Sequence, residues 1–174
     1  MGFLDNVALR KAERNLRPFM RTDERIIEYD IAEVAQLGRN LPVVLSNRAV
    51  YFLSDPAIRT PYAHILDLQA RGPTVAFSTQ SGNSFLIQIV GPPKGDIYDT
   101  IAHHLDKVIK HRQEIDVPGG TVTALCRQVE EDGSPVWIYM SSHEVQLDSP
   151  EVKSAIAVEL STIADRLGVP LSGV

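Results

Sequence analysis

Cysteine occurs once in 174 residues, at Cys126. A single thiol closes no internal disulfide, so the fold must hold by burial alone, as expected in a reducing compartment. Long apolar runs are missing as well. No window approaches the ~20 apolar residues that a membrane-crossing helix needs. The stretch Met1 to Met20 carries charges throughout and lacks the continuous apolar segment of a secretory leader. An excess of positive charge is also absent: 17 Lys and Arg face 22 Asp and Glu, for a net charge of -5. Nucleic acid, whose phosphates demand clustered cations, is therefore not an expected partner. The chain has no nucleophile elbow, no dinucleotide fingerprint and no phosphate-cradling glycine loop. Gly91-Pro92-Pro93-Lys94-Gly95 has the glycines and a lysine, but its two prolines remove amide donors that such a loop uses. These absences predict a cytoplasmic protein that is not an enzyme and has no cofactor.

What is present is a respectable supply of core. Hydrophobic residues make up 44% of the chain, enough for a domain with an appendage. Phe3 to Met20 predicts an amphipathic helix, with Leu4, Val7, Ala8, Ala12, Leu16 and Phe19 at three-to-four spacing. Arg10, Lys11, Arg14 and Arg17 gather on its other face. The preferred reading is a helix packed on the domain with a solvated basic face; the alternative is contact with an anionic membrane surface. Arg25 to Ala35 alternates as a strand, and Gly38-Arg39-Asn40 follows as a turn. Pro42 to Leu53 reads as one central apolar strand, ended by Asp55-Pro56. Ile58–Pro61, Ala63–Ala70, Thr74–Thr79 and Ser84–Val90 continue as short strands separated by turn residues, which predicts an antiparallel meander forming a barrel or sandwich.

Asp96 then caps a predicted helix reaching about Gln113, and Val117-Pro118-Gly119-Gly120 reads as a linker. Thr121–Val129 and Val136–Ser141 form a predicted hairpin. Ser149-Pro150-Glu151 opens a last helix, which Gly168 and Pro170 stop. The expected organisation is a helix over residues 1–20, a main domain over 21–115 and a strand–strand–helix extension over 121–174. That extension is too small to hold much core alone, and so is expected to pack on the first domain or on a partner subunit.

Residues from about Leu16 to Arg112 resemble the bacterial pleckstrin-homology-like family. The resemblance rests on Leu16-Arg17-Pro18-Phe19-Met20-Arg21-Thr22-Asp23-Glu24-Arg25 ahead of the first strand. It rests also on Ser46-Asn47-Arg48 before an apolar run containing Tyr51 and Leu53, and on Pro61-Tyr62-Ala63-His64-Ile65. It implies an α+β, mainly β fold: a bent antiparallel barrel of about seven strands capped by a helix. The tail from Thr121 falls outside it.

Several residues merit weighing as sites. Ser46, Asn47 and Arg48 interrupt an apolar strand. Arg48 as a ligand contact is one reading, but we take the triplet as tying a bend by hydrogen bonds. A phosphoinositide headgroup would need converging cations, and Gln36 to Leu41 offers only Arg39. His103, His104, His111 and the pair His143-Glu144 complete no metal-ligand set, although His104 and His111 would share a face of the predicted helix. Cys126 alternates with Val122 and Ala124 and reads as a core residue. Trp137 and Tyr139 share one face of a strand that is apolar on both sides, so either the strand is sandwiched between sheet and helix or one face is an interface anchored by these aromatics. The expectation is a non-catalytic interaction module that binds a protein partner or itself; the alternatives are peripheral membrane association through Phe3 to Met20 and, more weakly, an enzyme or small-ligand binder whose pocket the sequence does not reveal.

Overall fold

The computed structural model describes residues 3–93, 95–129, 133–142, 144–169 and 171, excluding the side chains of residues 3–6, 8 and 9. Among these the protein is mainly β, with an antiparallel seven-stranded sheet, a separate three-stranded sheet, and three α-helices, which in chain order precede the first sheet, link the two and follow the second. Two units divide at Leu105 and Asp106.

In the first unit α1 (Phe3–Leu16) precedes β1 (Ile26–Val34), β2 (Gly38–Ser46), β3 (Ala49–Phe52), β4 (Ile58–Pro61), β5 (Ile65–Arg71), β6 (Thr74–Thr79) and β7 (Ser84–Ile89). Their order across the sheet is β4-β3-β2-β1-β7-β6-β5. A register shift falls between Ile26 and Glu28 and another between Ala32 and Val34. Such bulges bend a strand and increase its twist. The rings show how far the sheet bends. Phe52 on β3 and Phe77 on β6 lie 6.2 Å apart between centroids, and Phe52 and Phe85 on β7 lie 4.6 Å apart. Strands β3 and β6 are four positions apart in the sheet, which would be ~19 Å if it were flat. The sheet is therefore folded over on its own inner face. It does not close: among the described residues β4 pairs only with β3, and β5 only with β6.

The segment Pro42–Leu53, expected as one strand, is a hairpin. The Ser46 hydroxyl accepts from the N–H of Arg48 at 3.1 Å and of Ala49 at 2.9 Å, which stabilises a tight turn at Asn47-Arg48. The run looks continuous in sequence because both its faces are covered. Val43, Leu45, Val50 and Phe52 are buried on one side, while Val44, Ala49 and Tyr51 on the other pack with Ala12 and Leu16 of α1. The preceding turn falls on residues 35–37, so Gly38 and Asn40 open β2 instead.

The next helix, α2 (Ile97–Val108), begins as expected: Asp96 accepts from the Asp99 N–H at 3.0 Å. Ile97, Ile101, His104 and Leu105 are its buried residues. It ends sooner than the apolar stripe suggested. Residues Ile109–Val117 form β8, which pairs with β9 (Gly120–Gln128) from Val117–Gly120 back to Ile109–Arg127. The expected linker is thus the turn of a hairpin, with Gly119 at φ +93° and Gly120 at +152°, values that L side chains adopt only under strain. With β10 (Pro135–Ser141) the second unit holds three strands, not two, before α3 (Pro150–Leu167).

Strand β9 sits centrally in the order β10-β9-β8. One face of this sheet packs with α3 through Ile115, Val122, Cys126, Trp137, Val152, Ile156 and Leu160. The termini of α3 read as expected: Ser149 accepts from the Val152 N–H at 3.3 Å, Pro150 fills the first turn, and Gly168 takes the left-handed conformation at φ +66°. Pro170 and His143 lie outside the described residues. No described helix is long and apolar enough to cross a membrane.

Candidate functional site

The densest polar arrangement in the first unit lies where residues 23–25 run past the β2–β3 turn. Each member of the triplet bonds to that segment, and Asn47 Nδ2 also donates to the Asp23 carbonyl at 3.4 Å. Asn47 Oδ1 accepts from the Arg25 N–H at 2.8 Å, and the Asn47 N–H donates to the Arg25 carbonyl at 3.0 Å. Arg48 pairs with Asp23, and the Ser46 hydroxyl donates to Glu24 Oε1 at 2.5 Å. Ser46, Asn47 and Arg48 thus each bond to the backbone or to a charge 22 to 25 residues earlier, while Arg48 Nε is buried without a partner.

Glu24 is the hub. Its side chain is fully buried, and its two oxygens accept from Ser46 Oγ, from the Tyr51 hydroxyl at 2.8 Å, from the Arg21 N–H at 3.0 Å and from Arg59 Nη2 at 3.1 Å. Arg59 Nε also donates to the Tyr51 oxygen at 2.9 Å. Burial pushes the Glu24 carboxyl up, but the bonds from Ser46, Arg21 and Tyr51 together with the Arg59 charge outweigh it and hold the group below its ordinary value. Desolvation, then the bond to Glu24, raises the Tyr51 phenol well above the usual tyrosine range. An ionised carboxylate whose lone pairs are all engaged is a structural anchor, unsuited to accept a substrate proton. Below it the Tyr62 hydroxyl donates to the Ser46 carbonyl at 2.8 Å, and the Tyr62 ring stacks on His104 at 4.9 Å, which seats α2.

Glu28 on β1 behaves in the opposite way. It accepts from Thr100 of α2 at 2.6 Å, and its Oε1 is buried without a partner. Desolvation raises its pKa first, with Asp30 and Asp96 adding to the rise against the Thr100 bond. Sequence reading missed both acids. The one local signal was the pair Asp23-Glu24 just ahead of β1.

The remaining candidates do not converge. Arg10, Lys11, Arg14 and Arg17 are exposed while Ala12 and Leu16 of the same helix are buried. Arg39 pairs with Glu33 at 3.6 Å. His104 belongs to α2, but His111 lies on β8, so the two share no helix face. Among the described residues no group of three or more His, Cys, Asp or Glu is placed to hold a metal. In the second unit Cys126 is buried, and desolvation pushes its thiol up despite the nearby Lys110. Trp137, for which the sequence allows either a covered strand or an interface, is 4% exposed, and Tyr139 packs against the same core; this strand face is covered by α3. Arg127, buried on the opposite sheet face, was also missed; desolvation and then Arg112 bring it down to about 10.

Neither a protein-family model nor a curated protein matches this chain.

Proposed function

We propose that the chain is a non-catalytic interaction module of the pleckstrin-homology-like fold, and that β5 offers its free edge to an extended segment of a protein, a second copy of this chain included. For the fold, support comes from seven antiparallel strands folded over on one face, with α2 burying Ile97, Ile101 and Leu105. The bent barrel is this reading's fine structure, with its gap between β4 and β5. The interaction rests on one observation: β5 runs seven residues with pairing on one side only among the described residues. Unpaired N–H and C=O groups on such an edge are a ready template for another strand.

Register tells which groups are free. Arg71 and Thr74 flank the two-residue turn Gly72-Pro73, so they are a hydrogen-bonded pair and the pattern alternates from there. Asp67, Gln69 and Arg71 spend their amides on β6. Leu68 and Ala70 turn theirs outward. Ala70→Pro therefore removes an outward donor without breaking a bond to β6. Light scattering across a concentration series tests the proposal: the natural chain associates and Ala70→Pro shifts to monomer. A strict monomer at every concentration, with no effect of Ala70→Pro on capture of any peptide from a random extended-peptide library, refutes it.

A second reading has its own observation. The four cations Arg10, Lys11, Arg14 and Arg17 are exposed together, beside Val7 at 51% and Phe19 at 60% exposure. An anionic surface would contribute ~1 kcal/mol for each cation. Sedimentation with vesicles containing phosphatidylserine tests it. Binding lost on reversing Arg10 and Arg14 to Glu supports contact through α1, and no binding removes this reading.

A further inference from the structure

Three polar atoms on the α3-covered face of the second unit's sheet are buried without a hydrogen-bond partner: His111 Nε2, Trp137 Nε1 and Tyr139 Oη. Their placement is not scattered. Register aligns His111, Cys126 and Trp137 in one row across β8, β9 and β10, and Gln113, Ala124 and Tyr139 in the next. The outer strands are two spacings apart, ~10 Å, yet the His111 and Trp137 rings approach to 6.1 Å and meet edge to face. They lean toward each other over the small Cys126 side chain. That ring contact supplies at most a weak N–H···π interaction to one of the two nitrogens.

Leaving three such groups dry is costly, and native interiors satisfy nearly all of them. Small residues in the middle strand, Ala124 and Cys126, keep the central rows low between the flanking rings. The indole N–H is donor-only, while the phenol and the imidazole nitrogen each donate or accept. The complement is therefore an acceptor oxygen. A charge is disfavoured: the α3 side chains buried here are Val152, Ile156, Leu160 and Ala164, and only burial acts on the Tyr139 hydroxyl, raising it to about 12. We propose that this face holds a site for a small uncharged molecule presenting an acceptor oxygen, bridged by Trp137, Tyr139 and His111. Two sources carry that chemistry, a sequestered water and a small carbonyl compound.

Trp137 is the single tryptophan of the chain, so its fluorescence reports this unit alone. Urea unfolding of the full chain followed by that signal tests the site. Removing a dry, orphaned hydroxyl leaves the midpoint unchanged or raises it. Removing one that bonds an occupant lowers it. We expect Tyr139→Phe to lower the midpoint, and Tyr139→Phe combined with His111→Leu to lower it by less than the two single changes summed, because both act through one shared occupant. N-methylacetamide, titrated into the natural protein, separates the sources. A saturable rise in midpoint that Tyr139→Phe abolishes identifies a carbonyl site; no rise alongside the coupled losses identifies water. A midpoint unchanged or raised by Tyr139→Phe, with additive double-variant effects, overturns the proposal.

Discussion

Replacing Glu24 by Gln changes one atom, yet it places an amide NH₂ among groups that need an acceptor. The oxygen that remains can serve either Ser46 and Tyr51 or Arg21 and Arg59, but not both pairs. The Arg59 guanidinium, 20% exposed at its side chain, is left facing a neutral group. Breaking a buried ion pair by removing one partner costs about 3–5 kcal/mol. The partial exposure of Arg59 puts this site at the low end, about 3 kcal/mol, a large share of the ~5–15 kcal/mol of a typical domain. Denaturant-dependent amide exchange is the suitable assay, read at the Arg48 and Ala49 N–H groups that the Ser46 hydroxyl caps. Trp137 fluorescence would report the other unit. The pH profile supplies a second reading. Glu24 has a folded pKa below its ordinary 4.5, so its contribution is present above about that pH and lost as pH falls through the lower folded value. Glu24→Gln should flatten that acid limb. A loss below about 1 kcal/mol, the range of a surface pair, with an unchanged acid limb, would refute the anchoring role.

Glu28→Gln should act in the other direction. The Glu28 pKa is raised in the fold, so its contribution is most favourable below the ordinary 4.5 and is lost as pH rises through the folded value. The glutamine carbonyl still accepts from Thr100. The denaturation midpoint should therefore rise at pH 7, and the gain should vanish below about pH 4.5; no gain at pH 7 counts against the burial argument. Leu16 is 0% exposed in the core shared by α1, β2 and β3, so Leu16→Ala should cost about 2–5 kcal/mol and open the chain to trypsin near Arg17. A change within ~0.5 kcal/mol would mean that α1 is not packed. Cys126, buried with a raised thiol pKa, should react with a disulfide reagent only at the rate of unfolding; immediate stoichiometric labelling would contradict its interior placement.

Much of this fold was legible in the sequence, and each failure has a physical cause. Asp55-Pro56 marks the start of Ile58–Pro61, turn residues flank Thr74–Thr79 on both sides, and the caps of α3 are side-chain chemistry readable from Ser149 and Gly168. The end of α2 was hidden because Leu105, Val108 and Ile109 continue a helical stripe. The inward positions that reveal the period of β8 are occupied at His111 and Gln113 by half-buried polar residues. The hairpin at Asn47-Arg48 was concealed by α1, which removes the polar face that normally betrays a strand. The triplet itself was readable as a bend, but its hub was not. Glu24 joins Ser46, Tyr51 and Arg59 across 22, 27 and 35 residues, a relation that only the folded sheet creates. The strand around Trp137 left two options open from its sequence, a strand sandwiched between sheet and helix or an interface; on its Trp137 face α3 supplies the cover.

The interaction reading stands or falls on the outer edge of β5. Amide hydrogen exchange at Leu68 and Ala70, measured at increasing protein concentration, tests it most directly. The reading predicts that these two amides gain protection as concentration rises or as an extended peptide partner is added, while Gln69, already bonded to β6, stays constant. Exchange at Leu68 and Ala70 that remains fast and concentration-independent, with every added extended peptide, would contradict it.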